Sequence, residues 1–192
     1  MFKDISLIGG HPALDFFNSV KYRGAKDPGD RLSSMSDVLD WCQIARLLSE
    51  SERDKMSRQS HLAAPIHKKI CTFREQGRVL FNTGDIGTPQ HIRAMALVTS
   101  EIEGLRPIVT INPNTGQLSR KIIIEDIKGV KSRIVDAVAE LLSTRMGLRI
   151  KTCNGIDCDW LFIDKTKAHR RQWCDSRTCG NTARVRRFRQ RS

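Results

Sequence analysis

The sequence predicts an α+β chain: a mostly helical N-terminal domain with a small β-hairpin sheet, and a C-terminal module built on cysteines, divided as residues 1–147 and 148–192. Three observations carry this prediction. Apolar residues recur at helical spacing along four stretches of the first part. Two β-branched runs, Ile108–Ile111 and Leu118–Ile124, flank an Asn-Pro-Asn-Thr-Gly turn. Four of the six cysteines fall into two pairs with the same inner gap, Cys153/Cys158 and Cys174/Cys179.

In chain order, residues 5–10 form a short apolar strand candidate ending at Gly9-Gly10. His11 to Val20 turns into a short helix or extended segment. Residues 22–34 are polar and carry the turn signal Asp27-Pro28-Gly29-Asp30. Ser36 or Asp37 caps a helix reaching Leu48, with Val38, Trp41, Ile44, Ala45 and Leu48 on one face. Residues 49–60 are charged and read as a helix start or a surface linker. A second helix covers 63–81, with Pro65 in its first turn and Ile66, Ile70, Phe73, Gly77, Leu80 and Phe81 inward; His67 sits on its solvated face. Thr88-Pro89 opens a third helix to Glu103, with Ile92, Met95, Ala96 and Thr99 in phase. After the hairpin, a helix from Asp126 or Ile127 to Met146-Gly147 turns Ile134, Val138, Leu141 and Leu142 inward. Cys42 and Cys71 lie in apolar helical contexts and read as core residues.

The cysteine pairs have the spacing of a metal site. Tetrahedral Zn2+ takes four thiolates at about 2.3 Å, and a short loop brings two of them to one ion. Cys153, Cys158, Cys174 and Cys179 are therefore expected to hold one zinc ion. Two disulfides or four unrelated thiols are the alternatives; disulfides suit secreted chains, and Met1-Phe2-Lys3-Asp4-Ile5 lacks a secretory pattern. Between the pairs, 159–164 reads as a strand, 165–167 as a turn and 169–173 as a returning strand. Residues 181–191 follow as a helix, with Ala183 or Val185 and Phe188 packed under the hairpin and the arginines outward. Knuckle, hairpin, second knuckle and helix make a treble-clef-like finger. Four thiolates close the zinc coordination shell, so the ion is structural.

The chain carries a net charge of +12 and a pI near 9.9, which makes a polyanion the leading partner. Residues 149–192 concentrate it, with twelve Lys/Arg against four Asp. Arg184, Arg186, Arg187 and Arg189, with Arg170 and Arg171, are the candidate nucleic-acid contacts. DNA is the expected target; RNA, the ribosome or an acidic protein is the rival, and basic charge alone does not separate them. No metalloprotease helix motif, phosphate loop or nucleophile elbow is present, so an enzyme is not expected. No apolar run is long enough to span a bilayer, and a soluble cytoplasmic protein follows as the expectation. Oligomeric state is not readable.

Cys153-x4-Cys158-x-Trp160-x-Phe162-x-Asp164, then Arg170-Arg171-x-Trp173-Cys174 and Cys179-Gly180-Asn181, resembles the CGNR zinc finger of bacterial proteins that also carry an ABATE domain. Thr182 stands where that name expects arginine. Gly9, Gly10, Leu14, Asp15 and Asn18 look like the Gly-Gly…Leu-Asp-x-x-Asn pattern of the ABATE family. The resemblance implies a stress-responsive transcription regulator, and the reading it supports first is one in which the helical domain senses something and the finger binds DNA, with a small-molecule ligand as a candidate partner of the N-terminal domain. Asp15 and Asn18, three residues apart, are the candidate ligand contacts; local capping of backbone is the other reading, favoured by how readily these residues bond nearby backbone.

Overall fold

The computed structural model describes residues 7–21, 26, 29–144 and 149–190. The start of the strand expected at 5–10, the turn at Asp27-Pro28, the helix end at Met146-Gly147 and Arg191 lie outside the described residues. The architecture is α+β. Helices α1 (Pro12–Phe17), α2 (Met35–Ile44), α3 (Glu50–Ser57), α4 (Ala63–Arg78), α5 (Pro89–Glu103), α6 (Gly129–Ser143) and α7 (Cys179–Arg189) alternate with three antiparallel two-stranded sheets. These pair β1 (Val20–Lys21) with β2 (Gly29–Asp30), β3 (Pro107–Ile111) with β4 (Leu118–Ile122), and β5 (Ile150–Thr152) with β6 (Leu161–Ile163).

Short helix α1 is the centre of the core. Pro12 pre-sets its first turn, and the His11 Nδ1 accepts the Ala13 amide as a cap. Ala13, Leu14, Phe16 and Phe17 are all buried, and the two phenylalanines join Trp41, Phe73 and Phe81 in one aromatic cluster. Each ring so buried stabilises the fold by about 2–3 kcal/mol. Gly77 of α4 lies against this cluster, where a Cβ would sit in ordinary contact with the Phe17 ring and with Val98 of α5. Arg74 is also buried. Its guanidinium holds both carboxylate oxygens of Asp30 and the Ser19 hydroxyl, tying the β1–β2 connection to α4.

Serine caps start two helices. Ser34 and Asp37 form a capping box for α2, placing the cap two residues before the expected Ser36; Ser49 and Glu52 do the same for α3, which makes Glu50–Ser57 of the charged stretch helical. Helix α5 is rotated from its expected phase. Ala94 and Val98 are buried, whereas Ile92 and Met95 are exposed, and Val98 is the α5 residue that lies beside Gly77 of α4. In α6, Ile134, Val138 and Leu141 are inward as expected, and Leu142 is largely exposed. Ile44 of α2 is likewise exposed.

Strand β6 joins the C-terminal module to this core. Its alternation sends Leu161 and Ile163 into the main core and Phe162 to the other side, against the cysteines, so all three are buried. The β5–β6 ladder continues through Cys153, whose amide donates to the Trp160 carbonyl.

Candidate functional site

The first cysteine pair lies at the tip of the β5–β6 hairpin, which corrects the expected pairing of 159–164 with 169–173. Residues 169–173 form no strand. Pairing across the knuckle wins because Cys153 to Trp160 continues the ladder, leaving the returning segment to be held by side chains. Asp164 is the hub of that segment. Its buried carboxylate accepts from the Lys151 Nζ at 2.8 Å, the Thr166 amide and hydroxyl at 3.0 and 2.6 Å, and the Arg171 amide at 3.0 Å. The Lys151 ammonium, followed by the Thr166 hydroxyl, holds this carboxyl well below the usual range.

The four sulfurs meet beyond the hairpin tip, all within 4.8 Å of one another. Cys158 and Cys174 are 3.7 Å apart, as are Cys174 and Cys179. A tetrahedron with metal–sulfur bonds of about 2.3 Å has edges of about 3.8 Å, whereas a disulfide needs about 2.05 Å. The spacing therefore fits one zinc ion held by Cys153, Cys158, Cys174 and Cys179, and excludes the two-disulfide alternative. All six cysteines are free.

Backbone amides prepare the site. The Cys153 Sγ accepts the amides of Gly155 at 3.3 Å and Cys174 at 3.2 Å. Hydrogen bonds from the Cys158 and Cys174 thiols, then these amides, push the Cys153 thiol down. Cys158 and Cys174 are pushed up, chiefly by their bonds to Cys153, because a second thiolate would sit against the first. A bound Zn2+ supplies the positive charge that allows all four to ionise together. Gly155 is a functional residue the cysteine count did not show. A Cβ there would lie 2.8 Å from the Cys179 sulfur and 3.2 Å from the Cys158 Cβ, so only glycine fits inside the knuckle.

Cys179 begins α7, placing the positive end of that helix at the metal centre. Asp175 organises the turn before it, accepting the amides of Arg177 and Thr178, while its carbonyl accepts from Gly180. The helix is seated on the module through its first turn. Gly180 is buried and Ala183 partly so; every residue from Arg184 to Gln190 is exposed. Val185 and Phe188, expected beneath the hairpin, are 42% and 73% exposed. The small Gly180 and Ala183, three apart, form the seated face, which turns Val185 and Phe188 to the opposite side.

The candidate arginines divide into two groups. Arg171 is structural: its Nε donates to the Trp173 carbonyl at 2.8 Å, its Nη2 to the Cys174 carbonyl, and its guanidinium lies 4.6 Å from the Phe162 ring centre. Arg170 is exposed beside it, on a groove shared with Thr152, Asn154 and Gln172. On α7, Arg184 donates to the Ser176 carbonyl, and Arg186 and Arg187 line a groove of about 460 Å³ with Asn154, Ile156 and Thr182 of the module. Thr182, in the place of the family's arginine, bonds back to the Thr178 carbonyl.

Asp15 and Asn18 serve the chain's own backbone. Asp15 Oδ1 accepts the Gly9 amide at 2.8 Å. The Asn18 carboxamide donates to the Leu161 carbonyl at 2.8 Å and accepts the Leu161 amide at 2.7 Å, both polar ends meeting one residue of β6. The Gly9 carbonyl, in turn, accepts the Ile163 amide at 3.0 Å. Trp160 completes the clamp, its Nε1 donating to the Val20 carbonyl and its ring lying under Arg31 at 5.0 Å. Gly9, braced by Asp15, and Asn18 thus dock the cysteine module onto the helical domain.

The CGNR zinc finger family model matches residues 149–192. A second model, ABATE, described as "Putative stress-induced transcription regulator", matches residues 10–145. The chain belongs to the ABATE family. No curated protein matches it. In this ABATE-family chain the zinc finger and the helical domain share a core through Leu161 and Ile163. No helix among the described residues is long and apolar enough to cross a membrane.

Proposed function

We propose that this ABATE-family protein regulates transcription by binding DNA through α7, with a structural zinc ion holding that helix clear of the body and with no catalytic step. The observation that carries this reading is the exposure of α7. From Arg184 to Gln190 every residue is exposed, four arginines among them, and residues 176–192 contain no acidic side chain. A lone helix with such a surface is poorly supported by its own side chains. Its geometry suits a polyanionic groove. At about 100° per residue, Val185 and Phe188 form an outward stripe with Arg184 and Arg189 on its flanks, while Arg186 and Arg187 border the seated side. A major groove about 12 Å wide admits one helix, with arginines reaching phosphates or guanine edges and apolar side chains reaching thymine methyls.

Crosslinking the protein in cells and sequencing the captured DNA and RNA tests the proposal. Discrete DNA sites, lost when Arg186, Arg187 and Arg189 are changed to glutamine, are the expected result. Ribosomal or other RNA captured without discrete DNA sites overturns it.

A further inference from the structure

The β3–β4 hairpin is the most exposed regular element of the helical domain. All five residues of β3 and the first four of β4 are solvent-facing, including Ile108, Val109, Ile111 and Leu118. A free two-stranded ribbon is marginal in water. Here the β4 side is fixed to the body: Arg120 pairs with Asp136, Lys121 with Glu52, and the Arg133 Nε donates to the Ile122 carbonyl. The β3 side has no partner strand among the described residues.

The free edge can be read atom by atom. The Asn112 amide donates to the Gln117 carbonyl, so in the observed register Thr110 and Ile108 bond inward to β4, while Val109 and Ile111 direct amide and carbonyl outward. Arg133 capturing the outward carbonyl of Ile122, opposite Pro107, agrees with this phase. Exposed edges in monomers carry lysines, bulges or inward charges as protection. This one has none: residues 107–119 contain no charged side chain, in a chain that is 28% charged with a net +12. Two copies repel everywhere that the positive charge is spread, and least along this strand.

We propose that β3 is a self-association edge, pairing antiparallel with β3 of a second copy about a two-fold axis at Thr110. Val109 then faces Ile111 of the second copy, and the reverse, giving four amide–carbonyl bonds and two apolar cross-strand pairs on one continuous four-stranded sheet. Pro107 and Pro113 have no amide hydrogen, so the ladder stops on both sides of Ile108–Asn112 and the assembly closes as a dimer. This surface lies on the helical domain and does not depend on what α7 binds.

The full-length zinc-loaded chain should have the mass of a dimer by light scattering at micromolar concentration. Val109→Pro removes one outward amide and no β3–β4 bond, and should shift the mass to monomer while far-UV dichroism and zinc content stay unchanged. A second variant guards against a misfolded hairpin. Thr110 meets its own copy as a non-hydrogen-bonded pair, with Cα atoms about 4.5 Å apart, within disulfide range. Thr110→Cys should therefore form a covalent dimer under mild oxidation at least tenfold faster than Ile108→Cys, whose two copies lie about 14 Å apart across the axis at about 3.4 Å per residue. A monomeric wild-type mass overturns the proposal, as does equal crosslinking of the two cysteine variants.

Discussion

Strand β6 and helix α7 belong to the same zinc finger and carry similar apolar residues, Leu161, Phe162 and Ile163 in one and Val185 and Phe188 in the other. The first three are buried almost completely, whereas the second pair faces solvent. The difference lies in what surrounds each backbone. β6 has β5 on one edge, Gly9 and Asn18 on the other, the helical core over one face and the cysteines over the opposite face. α7 has one seated turn, set by Gly180 and Ala183. Apolar residues are buried where hydrogen-bonding partners bring a second surface to them, whereas α7 from Arg184 to Gln190 is exposed. Its order comes from its first residue, Cys179, being a metal ligand.

Removing the metal should break this contrast most severely. Zinc binding contributes about 10 kcal/mol or more to a module of this size. Cys174→Ser should bind no zinc and lose the α7 helical signal, and because Leu161 and Ile163 lie in the shared core, the melting temperature of the helical domain should fall with it. Metal analysis with thermal dichroism reads both; an unchanged melting temperature would show that β6 docks without contributing to the larger core.

The β6 docking clamp has its own pH signature. Burial pushes the Asp15 carboxyl up to about 7, opposed by the Gly9 amide and the Arg31 charge. The folded state thus retains a proton that the unfolded chain releases near pH 4, and this group's contribution to stability is full below pH 4, falls as pH rises to about 7, and is flat above. Asp15→Asn keeps an acceptor for Gly9 and removes that slope. Denaturation at pH 8 should find the variant more stable by up to about 4 kcal/mol, from three pKa units at 1.36 kcal/mol each. No gain at pH 8 would indicate an ionised Asp15 fully compensated by its surroundings.

Asn18→Ala should cost about 2–3 kcal/mol, since it leaves the buried amide and carbonyl of Leu161 without partners. Zinc content should remain at one ion, separating docking from metal binding; loss of zinc in this variant would contradict the separation. At the other extreme, Phe188→Ala should change stability by less than about 0.5 kcal/mol, as for exposed sites generally. A larger loss in urea denaturation would mean that Phe188 is packed in solution.

The zinc ligands were legible in the sequence because one ion dictates both residue type and local spacing. The β3–β4 hairpin was legible for a similar reason, its turn residues being adjacent. The partner of β6 was not. Segments 150–152 and 169–173 are both compatible with a strand, and the choice depends on the Cys153–Trp160 bond and on Asp164 gathering the returning loop by side chains. Asn18 showed its residue type but not its role, since Leu161 lies 143 positions away. The phases of α5 and α7 depart from the expected ones for the same reason. Large apolar residues mark a face in each, yet the buried residues are others: Ala94 and Val98 in α5, with Val98 beside Gly77 of α4, and Gly180 with Ala183 in α7. Arg170 and Arg171 are indistinguishable by charge, and only the carbonyls of Trp173 and Cys174 assign the second to the framework.

The contrast between a buried strand and an exposed basic helix is tested most directly by the salt dependence of DNA binding. Wild type and the Arg186→Gln, Arg187→Gln, Arg189→Gln triple variant, each verified for one zinc and unchanged helical signal, are titrated with duplex DNA at several salt concentrations. Glutamine keeps side-chain length and helix propensity, so the comparison isolates charge. If the three arginines neutralise three phosphates, the plot of log affinity against log salt should flatten by about 2.7, or 0.9 per contact. An unchanged slope and affinity would contradict the account and remove α7 from the nucleic-acid interface.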